Sequence, residues 1–273
     1  MFHLSFYFRV SKFLCLLYIL HDPTNACPST CRCKDVWGSK SVKCTQMITA
    51  DLIHLPEDTM FLELAVVSDL KELSSDNFFL PNLKSLTLTY TRLEKLHLTT
   101  QVPILKSVRI TGGLFKHYSH IRIDGPLDYL MLVELPLAMG DAKYSFRNIR
   151  NLYFERNFIQ NFDSAMFNLS EVKSIVLKNN PLTHFTMGEN VKKMSIVQLD
   201  SCHISNFEDL KIETPSIKYL QVDRNSLKSP SSFADYGSLR FLSLSENNIT
   251  AFKSKFFSLS QQETFDLRKN SFG

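Results

Sequence analysis

The chain has 273 residues, 44% of them hydrophobic, with 8 glycines and 10 prolines, a composition that supports a continuous core and excludes a collagen-like or low-complexity chain. Its formal net charge of +4 comes without a polybasic arm, the longest like-charge run being Lys192-Lys193, so nucleic acid is not an expected partner. At this length a globular chain forms one large domain or two small ones, whereas a solenoid escapes that limit because its core grows repeat by repeat.

Residues 1–26 read as a secretory signal peptide. Arg9 and Lys12 precede the apolar run Phe13 to Leu20, and Thr24 and Ala26 suit the small-residue cleavage positions. The run is shorter than the roughly 20 residues that span a bilayer. An uncleaved signal anchor is the alternative, and Arg9 and Lys12 interrupt the longer stretch that it would need. No second long apolar segment follows, so a membrane enters only if the chain is part of a longer receptor.

Cys15 lies in the leader, Cys27, Cys31, Cys33 and Cys44 cluster just after it, and Cys202 stands alone. An even cluster behind a secretory leader reads as a disulfide framework, with zinc as the alternative that secretion disfavours. Spacing by itself allows three pairings. The order Cys27-Pro-Ser-Thr-Cys31-Arg-Cys33, followed by Cys44, resembles the cysteine-rich N-terminal cap of extracellular leucine-rich-repeat proteins. That resemblance implies bonds Cys27–Cys33 and Cys31–Cys44, in a cap covering 27–58. Such a cap closes the open apolar end and unpaired strand edge of a first coil, and its disulfides hold it there by about 2–4 kcal/mol each.

From 59 to 273 the chain repeats a template that is clearest in Leu239-Arg-Phe-Leu-Ser-Leu-Ser-Glu-Asn-Asn-Ile249. The place of Asn247 recurs at Val67, Thr91, Gly113, Leu135, Asn157, Asn180, Cys202, Asn225, Asn247 and Asn270, at spacings of 24, 22, 22, 22, 23, 22, 23, 22 and 23. Apolar residues hold the fourth and sixth places throughout and the first place in most copies, as in Leu83, Leu86 and Leu88 or Val172, Ile175 and Leu177, with Gln262 at the first place of the last copy. The alternation at the fourth and sixth places is that of a short strand with one buried face. About ten such strands, roughly 4.8 Å apart, would make a parallel sheet about 43 Å long. Return segments rich in phenylalanine (Phe162, Phe167, Phe185, Phe207, Phe233, Phe252 and Phe257) supply a second buried row. The pattern resembles the leucine-rich repeat, L-x-x-L-x-L-x-x-N-x-L. It implies an α/β-type solenoid: a horseshoe with a concave parallel sheet and irregular or short helical return segments. No cysteine follows Cys202, so no C-terminal cap is expected, and the last coil is either continued by further chain or covered by a partner or a second copy.

In the family, the asparagine of each repeat turns inward and bonds the backbone of neighbouring coils. Cys202 is an accepted substitute there, with a reactive thiol as the alternative. Val67, Gly113 and Leu135 cannot make that bond and Thr91 only in part, so the N-terminal half is expected to be less regular or less stable than the half after Asn157.

No catalytic constellation, phosphate loop, metalloprotease signature or dinucleotide fingerprint is present, so neither enzyme activity nor a cofactor is expected. His117 and His120 could share one side of a helical turn but lack a third ligand, so no metal is expected. Asn168-Leu-Ser and Asn248-Ile-Thr are sequons placed for surface glycans.

Function then falls to the strand residues between the leucines. Two aromatic groups stand out on the expected concave face. Tyr129, Met131 and Tyr153 are flanked by Arg109, Glu155 and Arg156, and Tyr219 and Phe241 by Asp223 and Arg224. Aromatic anchors with arginine at the margin are typical of protein-binding hot spots, although the same residues also pave a twisted sheet. The expectation is an extracellular protein-binding module, the receptor or adhesion ectodomain for an unidentified protein ligand. The alternative is a freestanding secreted matrix protein similar to small leucine-rich proteoglycans.

Overall fold

The computed structural model describes residues 27–46, 49–66, 70–136, 144–145, 148–189, 191–229, 238–251 and 264–272. The leader, Val67, Phe233, Phe252 and Phe257 lie outside them.

The chain is a β-solenoid. Its main sheet has twelve strands, of which the first two, Cys31–Val36 and Ser39–Thr45, form an antiparallel hairpin. The hairpin turn is Trp37-Gly38, both left-handed at φ 53° and 74°, the two-residue geometry that matches the twist of the flanking strands. Disulfides join Cys27 to Cys33 and Cys31 to Cys44, the pairing that the cap resemblance implied. Ser39–Thr45 then pairs in parallel with Thr59–Ala65, so the cap extends the sheet and its Val42 and Cys44 are fully buried.

Ten parallel strands follow Thr45, one per coil. Five are long: Thr59–Ala65, Ser85–Thr89, Ser107–Thr111, Leu127–Val133 and Ile149–Glu155. Five have three residues: Ser174–Val176, Ile196–Gln198, Tyr219–Gln221, Phe241–Ser243 and Thr264–Asp266. Their register is the one the spacings require. Phe61 faces Ser85, Ser85 faces Ser107, and the partnership continues through Tyr129, Asn151, Ser174, Ile196, Tyr219 and Phe241 to Thr264. Residues of the first, fourth and sixth places, such as Leu83, Leu86, Leu88, Val172, Ile175 and Leu177, are fully buried in one continuous core.

The return side corrects the α/β expectation. Among the described residues helix is confined to short 3-10 turns, and the return segments carry short parallel strands of their own. Glu72–Ser74, Lys95–Leu98 and Ile121–Ile123 form one small sheet, and Asn161–Asp163, His184–Met187 and Leu210–Ile212 another. A coil of about 22 residues that spends five on a strand and several on two turns has little length left for an α-helix. Period-2 burial, as in Lys95-Leu-His-Leu98, fits a strand instead. The phenylalanine row is confirmed where it is described: Phe162, Phe167, Phe185 and Phe207 are buried, and Phe162 stacks on both Phe167 and Phe185.

The marker column splits the molecule. Asn180 Nδ2 donates to the carbonyls of Phe154 (2.6 Å) and Leu177 (2.8 Å), while its Oδ1 accepts from the amides of Asn157 (2.8 Å) and Ile159 (3.2 Å). Asn225 repeats this with the carbonyls of Leu199 and Val222 and the amides of Cys202 and Ile204. Cys202 is a ladder residue: its thiol donates to the Leu177 carbonyl at 3.0 Å, and burial pushes its pKa up to about 12, so it is neither ionised nor nucleophilic near neutral pH. In the other half Thr91 Oγ1 is buried without a hydrogen bond. The strands there are nonetheless longer, so the expected loss of regularity is not what the backbone shows.

Candidate functional site

Each strand is followed, one place before the marker, by a left-handed residue: Val66, Tyr90, Gly112, Glu134, Arg156, Asn179, Ser201, Arg224, Glu246 and Lys269, all with φ between 47° and 63°. Only one is glycine. An L-residue in this conformation costs roughly 1–2 kcal/mol, and in every coil from Val66 to Glu246 the amide of the left-handed residue bonds a carbonyl of the next coil, as in Tyr90 to Thr111 at 2.7 Å. Gly112 is needed for space as well as for φ, because a Cβ there would sit 2.4 Å from Cδ1 of Tyr90. Tyr90 lies over Gly112 and reaches Glu134 Oε2 at 3.1 Å. Glu134 in turn pairs with Arg156 (3.1 Å), and further along Glu246 pairs with Arg224 (3.6 Å) and Lys269 (3.1 Å). This strand-end edge is therefore a mixed, mutually neutralised row of charges.

That row changes the reading of the flanking charges. Arg156 and Arg224, expected as margins of the aromatic groups, are instead engaged along the edge. Glu155 lies 3.4 Å from Arg156 Nη1. Arg109 is exposed on the sheet face and its Nε donates to Thr111 Oγ1 at 3.4 Å.

The aromatic groups do assemble. Met131 faces Tyr153 across the strand pair, and the rings of Tyr129 and Tyr153 are 6.3 Å apart. Tyr219 and Phe241 stack face to face at 4.1 Å. Two residues that the sequence reading passed over join the groups. Val176 pairs with Tyr153, and Ile196 pairs with Tyr219 and is 37% exposed. Tyr129, Tyr153, Val176, Ile196, Tyr219 and Phe241 thus mark an apolar path across six consecutive strands, about 24 Å long at the usual strand spacing. Their signal was present in the sequence, as aliphatics at positions that face away from the core.

Beside the second group lies a polar network. Tyr219 donates its hydroxyl to Gln221 Oε1 (2.7 Å), Gln198 donates to the same oxygen (3.2 Å), and Gln221 donates to Asp223 (2.9 Å). Asp223 also accepts from the Ser243 hydroxyl (2.5 Å) and the Ser245 amide (2.8 Å), so it is held within the sheet and does not project from it. Asp200 is buried; desolvation raises its pKa above the ordinary aspartate value, against the lowering effect of Lys178 at 2.9 Å. Burial likewise raises the pKa of Tyr153 and Tyr219, so both phenols stay protonated donors at neutral pH.

Elsewhere the sites are simpler. Asn168 and Asn248 are both exposed. His117 and His120 meet edge-on, with ring centroids 5.5 Å apart, and the described residues contain no group of three potential metal ligands. A cavity of about 160 Å³ on the return side, between Leu98, Val102, Ile123 and Leu127, has no titratable group in its lining. Among the described residues no helix is long and apolar enough to cross a membrane. Comparison with known proteins gave no match, either to a family or to a curated sequence.

Proposed function

We propose that the chain is an extracellular leucine-rich-repeat module that binds a protein ligand on the exposed, concave face of its main sheet, as part of a receptor or adhesion ectodomain. The observation that carries this reading is the apolar path from Tyr129 to Phe241. Large side chains there are held in fixed positions by strand pairing, and all but the buried Val176 remain partly exposed, Tyr129 at 42%. Such pre-organised aromatic area is what hot spots use, because little side-chain entropy is lost when they are covered. The leucine-rich-repeat assignment is supported by the 22- to 24-residue coil, the inward asparagines and the disulfide-bonded hairpin. The secretory leader and the two disulfides support an oxidising, extracellular setting. Asn168 and Asn248 would then carry glycans.

The test compares wild type with Tyr129→Ser/Tyr153→Ser/Tyr219→Ser as baits for cell-surface and matrix proteins, followed by binding measurements with each purified captured protein. The reading expects at least one ligand whose affinity falls by roughly a hundredfold or more in the triple variant. Unchanged affinity for every captured protein would overturn it.

A further inference from the structure

The second position of each repeat, just before the first outward-facing strand residue, is basic in most coils. Lys84, Lys106, Arg150, Lys173, Lys218 and Arg240 all occupy it and all are exposed. They are far apart in sequence and adjacent in space. The Lys106 amide bonds the Lys84 carbonyl (2.9 Å), the Lys173 amide the Arg150 carbonyl (2.8 Å), and the Arg240 amide the Lys218 carbonyl (2.9 Å). Four coils depart from the rule, two of them, with Met60 and Glu263, at the ends of the row. Asp128 holds the position between Lys106 and Arg150 and pairs with Arg150 at 2.8 Å. Ser195 holds it between Lys173 and Lys218, in the coil that also exposes Lys192.

Across the eight coils from Lys84 to Arg240 the column holds six cations and one acid, so positive charge is concentrated along this edge. Among the described residues no acidic side chain pairs with Lys84, Lys106, Lys173 or Lys218. The opposite edge carries charges too, but there they neutralise one another. Like charges at a spacing of one strand repel, and basic residues in six of eight successive coils form a site for a ligand of opposite charge.

We infer that this strand-start edge binds a linear sulfated polysaccharide. The column is one residue wide and about 34 Å long at the usual strand spacing, which fits a single extended chain and not a flat anionic membrane or a duplex. Its pitch is close to the length of one sugar ring, so successive cations can meet successive anionic sugars. Beside it run serines (Ser85, Ser107) and the rings of Tyr129, Tyr219 and Phe241, which supply hydroxyl contacts and stacking for a sugar polymer. The disulfide-bonded cap suits the compartment in which such polymers occur and nucleic acid does not. The inference shares Tyr129, Tyr219 and Phe241 with the protein-ligand reading but rests on the basic column, which that reading does not use, so the lysine variants test it separately.

The experiment titrates the full chain with heparin, with chemically desulfated heparin, with single-stranded DNA of matched length and with phosphatidylserine vesicles. Two variants of equal charge are compared: Lys84→Gln/Lys106→Gln/Lys173→Gln/Lys218→Gln on the edge and Lys95→Gln/Lys116→Gln/Lys211→Gln/Lys228→Gln elsewhere, each checked for native circular dichroism. The expected result is heparin binding that needs the sulfates. The edge variant should weaken it roughly a hundredfold and lower the salt slope by about one unit per lysine, while the second variant stays within about threefold of wild type. Equal loss in both variants, no heparin binding by the wild type, or tighter binding to DNA or vesicles would each overturn the inference.

Discussion

The coils before Asn157 and those after it solve one problem in two ways. After Asn157, inward side chains bond the backbone of their own coil and of the coil before it, and the paired strands need only three residues. Before it, Thr91, Gly113 and Leu135 stand in the same column, Thr91 Oγ1 makes no bond, and strand pairing runs for five to seven residues. Backbone hydrogen bonds along a longer strand thus replace bonds made by a buried amide. A coil of this solenoid does not depend on an inward asparagine if backbone pairing with its neighbours takes up the same groups.

The largest expected break in this comparison is Asn180→Ala. It strands two carbonyls and two amides in the core, at a cost on the order of 3 kcal/mol or more, read as a lower urea midpoint. The joint change Cys31→Ser/Cys44→Ser comes next at about 2–4 kcal/mol, and acts on the N-terminal coils that the hairpin covers. Gly112→Ala should cost about 1–2 kcal/mol by strain at φ 63° and by pushing Tyr90 off Glu134; Tyr90→Ala should remove the second part of that cost in a double-mutant cycle. Thr91→Val sharpens the contrast with Asn180, because removing an unbonded buried hydroxyl should leave stability unchanged or raise it by up to about 1 kcal/mol.

The smallest effect is a pH signature at Asp200. Burial raises its folded-state pKa, so the folded chain holds that proton more tightly than the unfolded one. Its stabilising contribution is therefore complete below the ordinary aspartate value of about 3.9 and is lost as pH rises through the raised value. Asp200→Asn should gain stability relative to wild type over that same rise, and unfolding at several pH values would detect a flat difference if the account is wrong.

Much of this was legible in the residues. The spacings from 24 to 22 that place Asn247 among its equivalents are the register of the sheet, because one coil per strand leaves no other solution. The disulfide pairing came from resemblance and not from spacing. Return-side strands were missed because runs such as Lys95-Leu-His-Leu98 are too short to separate from loop by pattern. The basic edge was hidden for another reason: Lys84, Lys106 and Lys173 never form a run in sequence, and only the coil brings them together. Val176 and Ile196 occupy outward-facing strand positions, where an aliphatic residue is a common strand former and so a weak signal of a site.

Native-state hydrogen exchange tests the two-region account most directly. The amides of Asn157, Ile159, Cys202 and Ile204, bonded to buried asparagine oxygens, should be the most protected at the marker column, and protection there should collapse in Asn180→Ala only around coils 157 to 180. In the N-terminal half, protection should peak within the strands, as at Leu86, Val108 and Leu130, and fall at residues 91 and 113. Equal protection of the marker amides in both halves would contradict the account.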